Sequence, residues 1–154
     1  MTSFYLQEDL KNELAKVFEG FKIKNIYDEE VSINIFSQNL PFRNGDEEEE
    51  PFPYIIVRLT EGIINDNESE QDVTTQLIIG TYDNSKDANG HKDTINIIQK
   101  IHERFLKNPV LAKKYIIQSP FKWVLQEEDT WPYYFGGIEV SWKTRSFERE
   151  DKFV

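Results

Sequence analysis

Few residues of this chain have types that could do chemistry: two histidines, one acidic run and scattered carboxylates near lysines. His91 and His102 lie eleven residues apart in a segment that reads as a helix, so they share a face but stand about 16 Å apart along its axis. One metal ion with ligands at ~2 Å cannot bridge that span, and surface positions account for both. The run Asp46, Glu47, Glu48, Glu49, Glu50 could attract a divalent cation. It lacks the spaced oxygen ligands and the glycine of a dedicated calcium loop. A block of like charges repels itself, which predicts a solvated loop. A metal-dependent nuclease would gather acids and a lysine on a strand. The nearest approach is Glu139 and Lys143 near the C-terminus, with Asp72 or Glu61 from a hairpin. Same-face charges on a solvated strand explain these more simply. Gly80 and Gly90 fit neither GxGxxG nor a Walker loop, and no serine sits in a GxSxG elbow. The residues therefore name no catalytic, cofactor or metal site.

What remains is aromatic. Trp131, Tyr133, Tyr134 and Phe135 crowd together before the last strand, with Trp123 nearby. Core packing is the simplest account, yet Tyr and Trp are also favoured at protein interfaces.

The elements that must position these residues begin with an amphipathic helix over 3–20. Leu6, Leu10, Leu14, Val17 and Phe21 recur at helical spacing beside Phe18, and Gly20 is a natural stop. Val31 to Ile35 alternates as a short strand. Residues 37–52 hold Pro41, Asn44-Gly45, the acidic run and Pro51, with Pro53 just beyond, and predict a mobile acidic loop. The strongest strand signal follows, a hairpin from Pro53 to Asp83. Ile55, Val57, Leu59 and Ile63 fall on one side of its first arm, and Tyr54, Ile56 and Ile64 on the other. Partly apolar faces on both sides predict a central position with both sides covered. A 13-residue arm would span about 43 Å at ~3.3 Å per residue. Either Gly62 breaks it with a bulge, or the hairpin end at 60–72 projects from the body. A second helix spans about His91 to Lys107, with Thr94, Ile98, Ile101 and Phe105 in one stripe and Asn108-Pro109 ending it. Ala112 to Gln118 and Phe121 to Gln126 predict two short strands. Tyr133 to Phe147 predicts the last, with Gly136-Gly137 marking a bulge or close packing. A charged tail covers 148–154.

These elements predict a single α+β domain over 1–154, a mixed and mainly antiparallel sheet with a long central hairpin and two flanking helices. A length of 154 residues suits one core. With no cysteine, disulfides and thiolate metal sites are excluded. The formal charge of −10, from 28 acidic and 18 basic residues, argues against a protein that grips nucleic acid. It suits a surface that DNA slides past. No apolar run approaches the ~20 residues of a membrane span, and no secretion signal is visible. A cytoplasm-like compartment is expected.

The order helix, strand, acidic loop, long hairpin, helix, strands resembles the tail terminator and tail-to-head joining (neck) proteins of long-tailed bacteriophages and prophages. The residues that carry the likeness are Pro53-Tyr54-Ile55-Ile56-Val57-Arg58, Gln76 to Asp83, the helix from His91, and Gly136-Gly137-Ile138-Glu139-Val140-Ser141-Trp142. The resemblance implies a non-enzymatic virion component forming a hexameric ring at the head-proximal end of the tail. It implies as partners further copies of the chain, the tail-tube protein and a head-completion or connector protein, with DNA passing through unbound. It also implies assembly in the host cytoplasm and no cofactor. The expected subunit contacts are Gly62, Ile63, Ile64 and Asn65 at the hairpin end and Trp131, Tyr133 and Tyr134 in the aromatic patch. Residues 46–50 are expected in a mobile or lumen-facing loop. Alternatives are another head-completion or tail-tube assembly protein of similar fold, an acidic module that masks a basic partner, or the nuclease above.

Overall fold

In a computed structural model the chain is described over residues 3–41, 51–64, 71–87 and 89–144. The acidic run at 46–50, Asn65 and the tail 148–154 lie outside those residues. Helix α1 spans Ser3–Val17, and strands β1 (Lys22–Lys24) and β2 (Glu30–Ser32) pair as a small antiparallel sheet. Strands β3 (Asn34–Ser37), β4 (Tyr54–Ile64) and β5 (Gln71–Tyr82) precede helix α2 (His91–Lys107). Strands β6 (Val110–Leu111), β7 (Tyr115–Leu125) and β8 (Tyr133–Thr144) complete the chain. The main sheet has the order β3-β4-β5-β8-β7-β6. Only the β3–β4 pair is parallel; the other four pairings are antiparallel. This is the α+β fold with a mostly antiparallel sheet that the sequence predicts.

Both helices cover one face of the sheet. Leu6, Leu10 and Leu14 of α1 and Ile97, Ile98, Ile101 and Phe105 of α2 bury their stripes against Ile55, Val57, Leu77, Ile79, Ile138, Val140 and Trp142. Gly20 adopts a positive φ of 78° just past α1 and turns the chain back toward β1. Several polar groups buried in this layer are matched. Trp142 Nε1 donates to Thr75 Oγ1 at 3.0 Å, Thr81 and Thr94 share a hydroxyl hydrogen bond of 2.9 Å, and Gln7 Nε2 donates to the Val57 carbonyl at 2.8 Å. Arg104 of α2 ties the two helices together through Glu13 of α1, Nε to Oε2 at 2.6 Å, with both side chains largely buried.

Several expectations change in the details. The segment Val31–Ile35 is not one strand: β2 belongs to the small sheet and β3 to the large one, with buried Ile33 between them. The two short strands expected over 112–126 are one strand, β7, with an irregularity between Gln118 and Lys122. The bulge in β4 falls between Leu59 and Glu61 rather than at Gly62. That shift reverses the alternation, so Ile63 shares the face of Asp72 and Lys143 and not that of Ile55. Over its described residues, 60–64 and 71–72, the hairpin end does not project as a bare pair of strands. β8 flanks β5 from Tyr82 to Asp72, and the Gln71 amide donates to Thr144 Oγ1 at 2.8 Å. Gly136 marks close packing and Gly137 does not, with no register shift at either.

Candidate functional site

Among the described residues the second face of the sheet carries no helix. The sequence predicts cover on both sides, but the described residues cover only one end of this face. There Phe52, Tyr54 and Ile56 form a small cluster with Tyr82, Tyr133 and Phe135. Phe52 stacks at 4.8 Å from Tyr133 and 5.0 Å from Tyr54 between ring centres, within the range of favourable aromatic pairs. Beyond it the pairing register lays out rows of side chains. Ile56, Ile78, Gly137 and Val124 stand side by side, and the missing side chain at Gly137 opens a groove of about 610 Å³. The next row reads Arg58, Gln76, Glu139, Lys122, with Gln76 Nε2 donating to Glu139 Oε2 at 3.4 Å. Then come Thr74 and Ser141, joined by a 3.2 Å hydroxyl contact, and last the cross-strand neighbours Asp72 and Lys143. Arg58 bends away from this row, donating to the Gln38 carbonyl at 2.9 Å.

The nuclease candidates share this face without converging. Asp72 lies opposite Lys143, but Glu139 is four residues along β8, about 13 Å away at ~3.3 Å per residue. Among the described residues no three His, Asp or Glu side chains are placed to hold a metal ion. His91 and His102 are exposed at separate turns of α2, and the His102 ring packs on Phe121 at 4.7 Å.

The expected contact residues are split between places. Gly62, Ile63 and Ile64 lie exposed at the end of β4, with Ile64 retaining 70% of its surface. Trp131 is half exposed, and its Nε1 donates to the Ser85 carbonyl at 3.0 Å. Tyr133 is half-buried in the aromatic cluster. Tyr134 points to the opposite face, where its ring lies against Gly90. Strand alternation therefore separates two residues that the sequence places together. Around Tyr134 the corner is acidic. Burial, then Asp83, Asp129 and Asp87, hold its phenol above the ordinary value. Burial first and then Asp83 raise the Asp93 carboxyl.

What sequence reasoning missed is the edges. β3 pairs with β4 only as far as Ser37–Val57, and β6 pairs with β7 only at Tyr115 and Ile116. Past β3, Gln38 stands in for one more strand residue. Its Nε2 donates to the Leu59 carbonyl at 2.9 Å, and its Oε1 accepts from the Leu59 amide at 3.0 Å. From Thr60 to Ile64 on one edge, and from Lys122 to Leu125 on the other, no strand lies alongside among the described residues. Trp123 and Val124 are half exposed on the second edge. No sequence pattern distinguishes a strand with two neighbours from one with half a neighbour.

No protein-family model matches the chain, and no curated protein is similar to it. Among the described residues no helix is long and apolar enough to cross a membrane.

Proposed function

We propose that the chain is a structural subunit of a phage or prophage virion, a tail-terminator-like protein whose copies form a ring, expected to be a hexamer, joining tail tube to head. The observation that carries this reading is the pair of open sheet edges, which face opposite sides of the subunit and bear exposed Ile63 and Ile64 on one and Trp123 and Val124 on the other. Head-to-tail contacts that close a ring need two different patches on each copy. Exposed strand edges are templates for pairing with another chain. The net charge of −10 agrees with a channel through which DNA passes without sticking. The resemblance in strand and helix order supplies the particular role. Light scattering coupled to size-exclusion chromatography, across concentration and with tail-tube subunits added, tests it. A closed oligomer is expected, and a strict monomer under all conditions refutes the ring. A gene lying between head-completion and tail-tube genes separates a terminator from other joining proteins.

A further inference from the structure

We propose that neighbouring copies join by sheet continuation, with residues 60–63 of β4 in one copy pairing antiparallel with Lys122–Leu125 of β7 in the next. The proposal rests on the ring reading and names its interface.

The geometry of the two edges leads to it. The open stretch of β4 is at the end of the sheet where Ile64, Gln71, Thr144 and Tyr115 line up. The open stretch of β7 is at the other end, level with Gly136 and Ile79. Each edge is therefore a step, blocked over one half by a short strand and open over the other. The steps fit when the neighbour is displaced along the strands: its β3 then passes beyond Leu125, and β6 passes beyond the neighbour's Ile64. In one subunit Ile63 is level with Lys143, whereas Lys122 is level with Glu139. The displacement is four residues of β8, about 13 Å at ~3.3 Å per residue.

Direction and face follow from the same pairings. A neighbour that extends the sheet with the same face on the same side keeps its strand directions. β4 runs opposite to β7, because three antiparallel pairings separate them. The new contact is thus antiparallel. After the bulge, Glu61 and Ile63 lie on the open face, as do Lys122 and Val124, while Gly62 and Trp123 lie on the helix face. Matching faces over the longest open run sets Gly62 beside Trp123 and Ile63 beside Lys122. The smallest side chain then leaves room for the largest, and the Lys122 stem lies against Ile63 while its ammonium keeps to water. Glu61 becomes the diagonal neighbour of Lys122, an opposite-charge pair across the interface. No other register of the same faces places four open positions against four.

The chain contains no cysteine, so engineered pairs report without background. Opposed residues of an antiparallel pair have Cα atoms about 4.5–5.5 Å apart, which suits a disulfide. Within one subunit Ile63 and Lys122 are three strand spacings apart across the sheet, roughly 14 Å, and four residues apart along it, so they bridge only between copies. The full chain carrying Ile63→Cys and Lys122→Cys together, mildly oxidised, is expected to give a ladder of covalent multimers on a non-reducing gel. Each single variant is expected to give none. A ring in solution with no ladder overturns the edge pairing and leaves the ring standing. A strict monomer overturns both. Equal dimer bands from the single variants mean a two-fold contact and overturn the proposal, as does assembly that requires a second protein and yields no ladder among copies. Ile63→Lys, at an exposed position that the fold tolerates, is expected to raise the concentration needed for assembly at least tenfold with the monomer's melting temperature unchanged. Unchanged assembly in that variant also counts against the interface.

Discussion

Adjacent glycines at 136 and 137 should respond in opposite directions to the same substitution. A Cβ added at Gly136 points into the helix layer and would meet Thr94 Cγ2 at 2.7 Å, the Val124 carbonyl oxygen at 3.2 Å and Leu125 Cδ2 at 3.3 Å. Real Cβ atoms do not come that close, so Thr94 must move. Thr94 is fully buried, and its hydroxyl is bonded to Thr81 at 2.9 Å. Overpacking costs about 1–3 kcal/mol, and disturbing a buried hydroxyl bond adds about 1 kcal/mol. Gly136→Ala should therefore destabilise the protein by about 2–4 kcal/mol, or roughly 4–16 °C in melting temperature for a domain of this size. At Gly137 the added carbon points into the open groove and meets nothing nearer than 3.7 Å. Its φ is not positive, so Gly137→Ala should be neutral or stabilising by about 0.4–1 kcal/mol, through the less flexible unfolded chain. Thr94→Ser deletes Cγ2 and keeps the hydroxyl. Combined with Gly136→Ala it should recover about 1–2 kcal/mol relative to additivity. Urea denaturation of the four variants measures all of this. Additive effects of Gly136→Ala and Thr94→Ser, or equal effects at the two glycines, would refute the packing account.

Alkaline pH should unfold the protein through Tyr115. Burial, with Asp9 second, pushes its phenol up to about 12 from 10.0. The unfolded chain releases this proton near pH 10 while the folded one holds it. The stabilisation is therefore complete below pH 10 and is lost as pH rises toward 12, by roughly 2–3 kcal/mol at about 1.4 kcal/mol per unit. Tyr115→Phe should flatten that part of the stability-against-pH curve, and an unaltered curve refutes the assignment. Glu13→Gln should cost about 1–2 kcal/mol, because Arg104 loses its charged partner at 2.6 Å but keeps the Asn108 and Val110 carbonyls. Chemical denaturation reads this loss, and it should shrink in 1 M salt; a loss indifferent to salt would mean that packing, not charge, links the helices.

Periodicity made much of the fold legible. The stripe Thr94, Ile98, Ile101, Phe105 gives α2 with both its ends, since Asn108-Pro109 stops it chemically. Alternation in Val73, Leu77 and Ile79 identifies the inward face of β5. Three things were not legible, each for a physical reason. The β4 bulge changes which residues share a face without changing composition, so Ile63 reads as sharing the side of Ile55 and lies instead beside Asp72. Ser119-Pro120 reads as a break, but β8 holds the chain in register on both sides of it. The neighbourhood of a strand depends on chain segments far away in sequence, so nothing in Tyr54–Ile64 tells that β3 stops beside Val57.

That last point decides where function belongs on this molecule. A hairpin read from its own residues looks like a projecting contact arm. Packed in the sheet, one of its arms, β5, has partners on both sides over nearly all its length and has no backbone groups left to offer. Among the described residues the other arm keeps a free side from Thr60 onward, because β3 is short and Gln38 supplies only one further pair of hydrogen bonds. Binding capacity therefore sits on one side of one strand, and with it comes a fixed direction and alternation. An aromatic patch such as Trp131, Tyr133 and Tyr134 can meet a partner at many angles, and alternation has already put Tyr133 and Tyr134 on opposite faces. A strand edge accepts a partner in one plane, in one direction and in registers two residues apart. An assembly whose subunits must repeat at one angle gains more from the edge than from the patch.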